Sequence, residues 1–226
     1  MSVNKEPLPV DRKEICRYLG YRGHEADEAT KQLVEVCVRE LLRVAEPKYV
    51  RREYPVKVLK EGTLDLGCFQ TNSKNLMKNL GGCGQVLLMA VTLGLEVDRL
   101  LMRYGKLNVT KAVVLQAAAA AMIESCCNRL CLEWKTEYEA RGRYLRPRYS
   151  PGYGDFSLDF QKRILEELYA GRQIGITLTD GCLMVPTKSV TAVIGISETE
   201  HFCQVEGCEA CENAACLYRR SSAEGT

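Results

Sequence analysis

Between Asp27 and Ala45 the apolar residues Val34, Cys37, Val38, Leu41, Leu42 and Ala45 recur every three or four positions, the spacing of one face of a helix. A shorter helix is predicted from Asp11 to Leu19, closed by Gly20. From Tyr49 to Leu59 the period changes to two: Val50, Tyr54, Val56 and Val58 are apolar, while Arg51, Glu53 and Lys57 are polar. This predicts a half-buried strand, and Pro55, which has no N–H to donate, places it at a sheet edge. Ser73 stands where it can cap a short helix through Leu80, stopped by Gly81 and Gly82. The apolar run from Gln85 to Leu93 is rich in Val, Leu and Thr and is read as a strand. Val97 to Tyr104 reads as helix. Val109 to about Arg143 contains no proline, begins alanine-rich and grows more charged, and predicts the dominant helix of the molecule. A helix from Leu158 to Ala170, ended by Gly171, then leads to strands at Ile174 to Leu178 and Val190 to Ile196, with a turn at Asp180-Gly181 between them. Helices and strands mix without regular βαβ alternation, so the fold class is α+β.

Composition narrows the function more than the fold. The 226 residues carry 31 Lys and Arg against 29 Asp and Glu, and a net charge of +2 gives no electrostatic reason to expect nucleic acid or an anionic membrane as partner. The longest apolar runs, Val86 to Val97 and Ala112 to Ile123, are interrupted by Thr92 and Gln116 and are too short to span a bilayer. The opening residues MSVNKEPLPVDRKE lack the apolar stretch of a secretory signal, which predicts a cytoplasmic protein. In that compartment the 12 cysteines are expected to stay thiols or to bind metal. With two histidines, His24 and His201, the chain has few candidates for a His base or a multi-His metal centre. Neither a phosphate-binding GxxxxGK[ST] loop nor HExxH nor GxSxG occurs.

Two segments carry the chemistry. The first is RYSPGYGD, Arg148 to Asp155; the second, one helix later, is IGITLTDGCLMVPTKSVTAVIGIS, Ile174 to Ser197. The pattern Arg-x-x-Pro-Gly-Tyr followed by Leu-Thr-x4-Met-x-Pro-x2-Ser resembles the reactivation (activation) domain of cobalamin-dependent methionine synthase, in particular its free-standing forms, over about Gln85 to Ile196. The resemblance implies a bent antiparallel sheet with flanking helices that binds S-adenosylmethionine. It further implies that this ligand is presented to an oxidised cob(II) corrinoid on a partner protein, a methionine synthase or another corrinoid methyltransferase. A flavodoxin or ferredoxin-type donor supplies the electron in that family. The hard chemistry lies in cobalt and sulfonium, so the protein need only bind, orient and exclude water.

On physical grounds Arg148 offers a planar, permanently charged fork for the ligand's carboxylate; outside this loop a surface ion pair would be the simpler reading. Gly152 has no Cβ and allows close backbone approach, and Ser150 and Tyr153 add backbone and aromatic contacts, although SPGY is also a rigid turn. Glu124 interrupts a run of small apolar residues on the long helix, and the resemblance assigns it to the ligand's ammonium or ribose hydroxyls. Thr179, Met184, Pro186, Lys188 and Ser189 match the second motif and are taken to line the site. Where the methionine synthase form carries a tyrosine pair, this chain reads Val193-Ile194-Gly195.

Residues 1–200 are therefore expected to form one S-adenosylmethionine-binding domain, with a Cys-rich tail over 201–226. In that tail Cys203, Cys208, Cys211 and Cys216 could hold zinc or an iron-sulfur cluster, or stay free thiols. Two rival functions follow: an iron-sulfur or zinc module for electron transfer or interaction, and a non-catalytic scaffold that docks corrinoid proteins. Cys126, Cys127 and Cys131 are read as packing residues of the long helix.

Overall fold

The computed structural model describes residues 8–200 apart from 9, 22, 23, 60 and 61. The tail, 201–226, with Cys203, Cys208, Cys211 and Cys216, lies outside the described residues. The chain forms α1 (Arg12–Tyr18), α2 (Glu28–Val44), β1 (Lys48–Pro55), β2 (Lys57–Val58), β3 (Leu64–Asp65), β4 (Gln70–Thr71) and α3 (Lys74–Asn79). Then follow β5 (Gln85–Thr92), α4 (Leu95–Leu107), α5 (Val109–Glu139), β6 (Tyr144–Leu145), α6 (Phe160–Glu167), α7 (Ala170–Ile174), β7 (Thr177–Leu178), β8 (Met184–Val185) and β9 (Ser189–Ser197). Asp11, Asp27 and Ser73 cap α1, α2 and α3 through their side chains, satisfying the first free N–H groups of each helix.

The centre is an antiparallel sheet ordered β1-β5-β9-β6, in which β5 and β9 pair along their whole length from Gln85↔Ile196 to Thr92↔Ser189. Each face has its own core because successive side chains of a strand point to opposite sides. Leu87, Met89, Val91, Ala192 and Ile194 face α1, α2, α4 and α5. Val86, Leu88, Ala90 and Val193 face α3, α6 and α7, where Phe69, Phe160 and Phe156 stack with ring centroids 5.2 and 5.1 Å apart. Helix α5 is the spine, packed on the sheet and on three other helices. Its buried Ala117, Ala118, Ala119 and Ala121 let those neighbours come close. By length and composition α5 could also cross a bilayer, which the interrupted apolar runs did not suggest. More than half of its most apolar stretch is buried by protein, as in a core helix.

The α+β class, the antiparallel sheet and the single long helix agree with the expectation from sequence; three boundaries do not. The strand predicted from Tyr49 to Leu59 divides at Val56, whose N–H leaves the sheet to donate to Gly84 O at 3.1 Å, so that β2 joins a separate small sheet with β3 and β4. The helix predicted to Ala170 stops at Glu167. There Arg52 and Tyr54 of β1 donate to the Glu167 carbonyl at 3.2 and 3.4 Å, and Tyr169 turns left-handed at φ 49°. Ile174, expected to open a strand, closes α7 before Gly175 at φ 75°.

Candidate functional site

The segment after β6 continues beside β9, with Tyr149 and Val193 exchanging both backbone hydrogen bonds at 2.8 and 2.9 Å. Alternation then aims neighbouring side chains to opposite sides. Tyr149 packs into the core of α3 and α6, and Arg148 turns to α5. Its guanidinium donates from Nη2 to Glu124 Oε2 at 2.5 Å and from Nη1 to Asn128 Oδ1 at 2.7 Å. Glu124 and Asn128 are four residues apart and therefore adjacent on one helix face, so α5 offers two oxygens to the two arms of the fork. Burial opposes the charge on Arg148, but the acidic groups around it, Cys127, Glu124 and Cys131, more than offset this and hold its pKa above the ordinary value. In return, burial raises the Cys131 thiol while Arg148 pulls it down. Cys127 and Cys126 are fully buried, as packing residues would be. The pair stays within reach of a ligand, with side chains 23% exposed for Arg148 and 39% for Glu124.

The RYSPGYGD loop is anchored from its far end. Asp155 accepts from Ser73 Oγ at 2.5 Å, Lys74 N at 2.7 Å and Asn75 N at 3.1 Å, tying the loop to the start of α3. Gly152 N donates to Phe156 O at 2.7 Å and Tyr153 N to Ser150 O at 3.3 Å, the bonds of a turn, and Gly152 has φ 93°. The Tyr153 ring sits 6.4 Å from that of Tyr149. Arg148 and Glu124 are thus brought together at the start of this loop.

The residues of the second motif are spread over α5, the start of β9 and the β7–β8 turn. Lys188 reaches α5, its Nζ 3.5 Å from Gln116 O, and burial lowers its pKa. Ser189 is buried; its hydroxyl donates to Pro186 O at 2.7 Å and shares a hydrogen bond with the Thr92 hydroxyl at 2.8 Å, closing the start of β9 on β5. Thr179 holds the β7–β8 turn through Leu183, and Met184 packs against the core of α3 and α6. Val193 and Ile194 are buried. A Cβ at Gly195 would lie 2.6 Å from Cys83 Sγ and 2.9 Å from Arg146 Cγ, which leaves no room for a larger side chain there.

From the Glu124 pair, the same face of α5 continues toward the helix N-terminus as an open trough of about 510 Å³. It is lined by Tyr18, Gly105, Val109, Ala112, Val113, Gln116, Ala117 and Ala120. Reading the sequence for motifs missed Asn128 and this trough. The signal was available in the four-residue spacing Gln116, Ala120, Glu124, Asn128, which is one helical face. Among the described residues no three His, Cys, Asp or Glu side chains converge as a metal site.

Residues 76–215, more than half of the chain, match the family described as vitamin B12 dependent methionine synthase, activation domain. A solved structure described as the MetH reactivation domain bound to AdoHcy is similar in fold, with a TM-score of 0.65 at 16% identity, covering 89% of this chain and 79% of that one. No curated protein sequence matches.

Proposed function

Because the chain belongs to the family of vitamin B12-dependent methionine synthase activation domains, we propose that it binds S-adenosylmethionine beside α5 and presents it to a corrinoid carried by a partner protein. The observation that carries this reading is the pair of Glu124 on α5 with Arg148 on the RYSPGYGD loop, 2.5 Å apart and partly open to solvent. The two side chains are matched to an amino-acid zwitterion: the guanidinium fork to its carboxylate, the Glu124 carboxylate to its ammonium. Asn128 holds the fork in plane from its other arm. Ser150 adds a hydroxyl next to Arg148, and Lys188 closes the α5 side of the second motif. The alanine floor of α5 sheds water from the sulfonium end of the site.

When bound, the ligand supplies a methyl cation, which with one electron from a low-potential donor of the flavodoxin or ferredoxin type converts cob(II) into methylcob(III) and leaves S-adenosylhomocysteine. This chain's share in that reaction is positioning. The fold relative is described as bound to AdoHcy, the product such a transfer leaves, which supports the same ligand class here.

Calorimetric titration of the full chain with S-adenosylmethionine tests the reading. Saturable binding is expected, weakened by about 2 kcal/mol or more in Arg148→Ala and only partly restored in Arg148→Lys, because an ammonium lacks the two-pronged geometry. Equal affinity in wild type and Arg148→Ala would remove Arg148 from the site.

A further inference from the structure

One motif has no part in the ligand site: Cys203, Cys208, Cys211 and Cys216, which follow β9 in the chain. We propose that these four thiolates together hold a four-iron, four-sulfur cluster, and that the fold seats it against the turn Gly81–Gly84 between α3 and β5. Cluster binding does not depend on S-adenosylmethionine being the ligand and gives the chain a second, redox site.

Ligand type and spacing favour the cluster. The set reads C-x4-C-x2-C-x4-C within residues 203–216, and His24 and His201 are the only imidazoles of the chain. Zinc sites of four cysteines draw on two C-x2-C pairs set roughly 15–20 residues apart, whereas iron-sulfur clusters take most or all of their thiolates from one closely spaced run. The described residues fix where that run begins. At the end of β9, Ser197 Oγ donates to Gly82 O at 3.4 Å, and Thr199 N donates to Ser197 Oγ at 3.1 Å, so the chain leaves the sheet beside the Gly81–Gly84 turn. Cys203 follows six residues later, within about 20 Å of Ser197 even if fully extended. The turn is cationic: Arg146 donates from Nη2 to Gly81 O at 2.9 Å, and Lys78 is exposed in the last turn of α3. The chain arriving there is acidic, with Glu198, Glu200, Glu206, Glu209 and Glu212 before the first cation, Arg219, and four thiolates leave an oxidised cluster with a net negative charge of its own. Opposite charge on the two sides favours the seat. Cys83, the thiol of the turn itself, packs against Gly195 of β9 and is half-buried. Four thiolates already fill the corners of the cluster, which makes Cys83 a neighbour and not a ligand. On the proposed function the cluster is a relay. It gains one electron from a donor of the flavodoxin or ferredoxin class and passes it to cob(II), returning to its oxidised level, and the cob(I) so formed accepts the ligand's methyl cation.

Anaerobic incubation of the full chain with ferrous iron, sulfide and a thiol reductant tests the site. Expected are about four iron and about four acid-labile sulfide per chain, a broad visible absorption bleached by dithionite, and a paramagnetic resonance signal from the one-electron-reduced cluster. Cys208→Ala and Cys211→Ala should each lose most of the iron, while Cys83→Ser and Cys182→Ser keep it. Lys78→Glu and Arg146→Ala should lower the reduction potential, because a nearby cation favours the more negative, reduced form. Lys78 is exposed, so its variant keeps the test meaningful if Arg146→Ala fails to fold. A colourless chain that takes up zinc and no iron overturns the cluster, as does iron retained in both Cys208→Ala and Cys211→Ala. Iron lost in Cys83→Ser overturns the four-cysteine set. Potentials unchanged in Lys78→Glu and Arg146→Ala overturn the seat at Gly81–Gly84. Titration of the same samples with S-adenosylmethionine keeps the two proposals apart: failure to bind it overturns the functional reading and leaves the iron content as measured.

Discussion

Arg148 and Asp155 close the two ends of one eight-residue loop, and both do so through charge-assisted hydrogen bonds. Asp155 meets three donors at the start of α3, and the Ser73 hydroxyl, followed by the amides of Lys74 and Asn75, holds its carboxyl below the ordinary carboxylate pKa. A group depressed in this way adds stability that is present above its ordinary pKa and lost as pH falls through the lowered one. Asp155→Ala is thus expected to lower stability by about 1 kcal/mol at neutral pH, the usual worth of a lost cap, with the gap to wild type closing in acid. Thermal melts of both proteins across that range check it, and a gap that persists below the depressed pKa would contradict it. Arg148 was legible through the two-motif resemblance, because the residue alone would read as a surface ion pair. Asp155 and Asn128 went unread, since their partners lie 80 and 20 residues away in sequence and no local pattern marks such pairs.

At the scale of elements, legibility followed length. Strands β5 and β9 and helices α2, α4 and α5 are long enough for their period to declare them, and each was read to within a few residues of its bounds. The two-residue strands β2, β3, β4, β6, β7 and β8 have no period to read. The break between α6 and α7 has a remote cause, the capping of Glu167 O by side chains of β1. In α5 the alanines at 117, 118, 119 and 121 set how closely the helix approaches the sheet and its partners. Ala118 is fully buried, so Ala118→Leu forces extra volume into that contact and should cost about 1–3 kcal/mol in chemical denaturation. A variant as stable as wild type would mean that α5 packs more loosely than its burial implies.

Across the whole molecule the central sheet joins two cores that share a single layer of backbone. Leu87 and Leu88 are neighbours in β5 and both buried, yet one belongs to the core of α1, α2, α4 and α5 and the other to that of α3, α6 and α7. Leu87→Ala and Leu88→Ala should each lower stability by about 2–5 kcal/mol and leave one coincident unfolding transition by circular dichroism and tryptophan fluorescence. The only tryptophan, Trp134, reports from the α5 side. Separated transitions in the Leu88 variant would show that the two cores unfold independently. The same layering explains why fold and site differ in how readily they are read. Two cores on one sheet follow from alternation in β5 and β9, whereas the site needs the sheet edge and α5 to meet, and neither element's sequence contains the other.

The pairing of Arg148 with Glu124 has a kinetic side. An arginine alone at the end of an apolar trough would cast a positive field into solvent, attracting any small anion and repelling a ligand that carries a sulfonium. Joined to a carboxylate, it is electrically quiet at a distance, since opposite charges so close form a dipole whose field fades well within the screening length of physiological salt. Long-range steering then contributes little to encounter. On the proposed function, capture is decided at contact, where an incoming zwitterion exchanges one internal ion pair for two of its own and free phosphate or acetate, with a single sign of charge, leaves one partner behind unmatched.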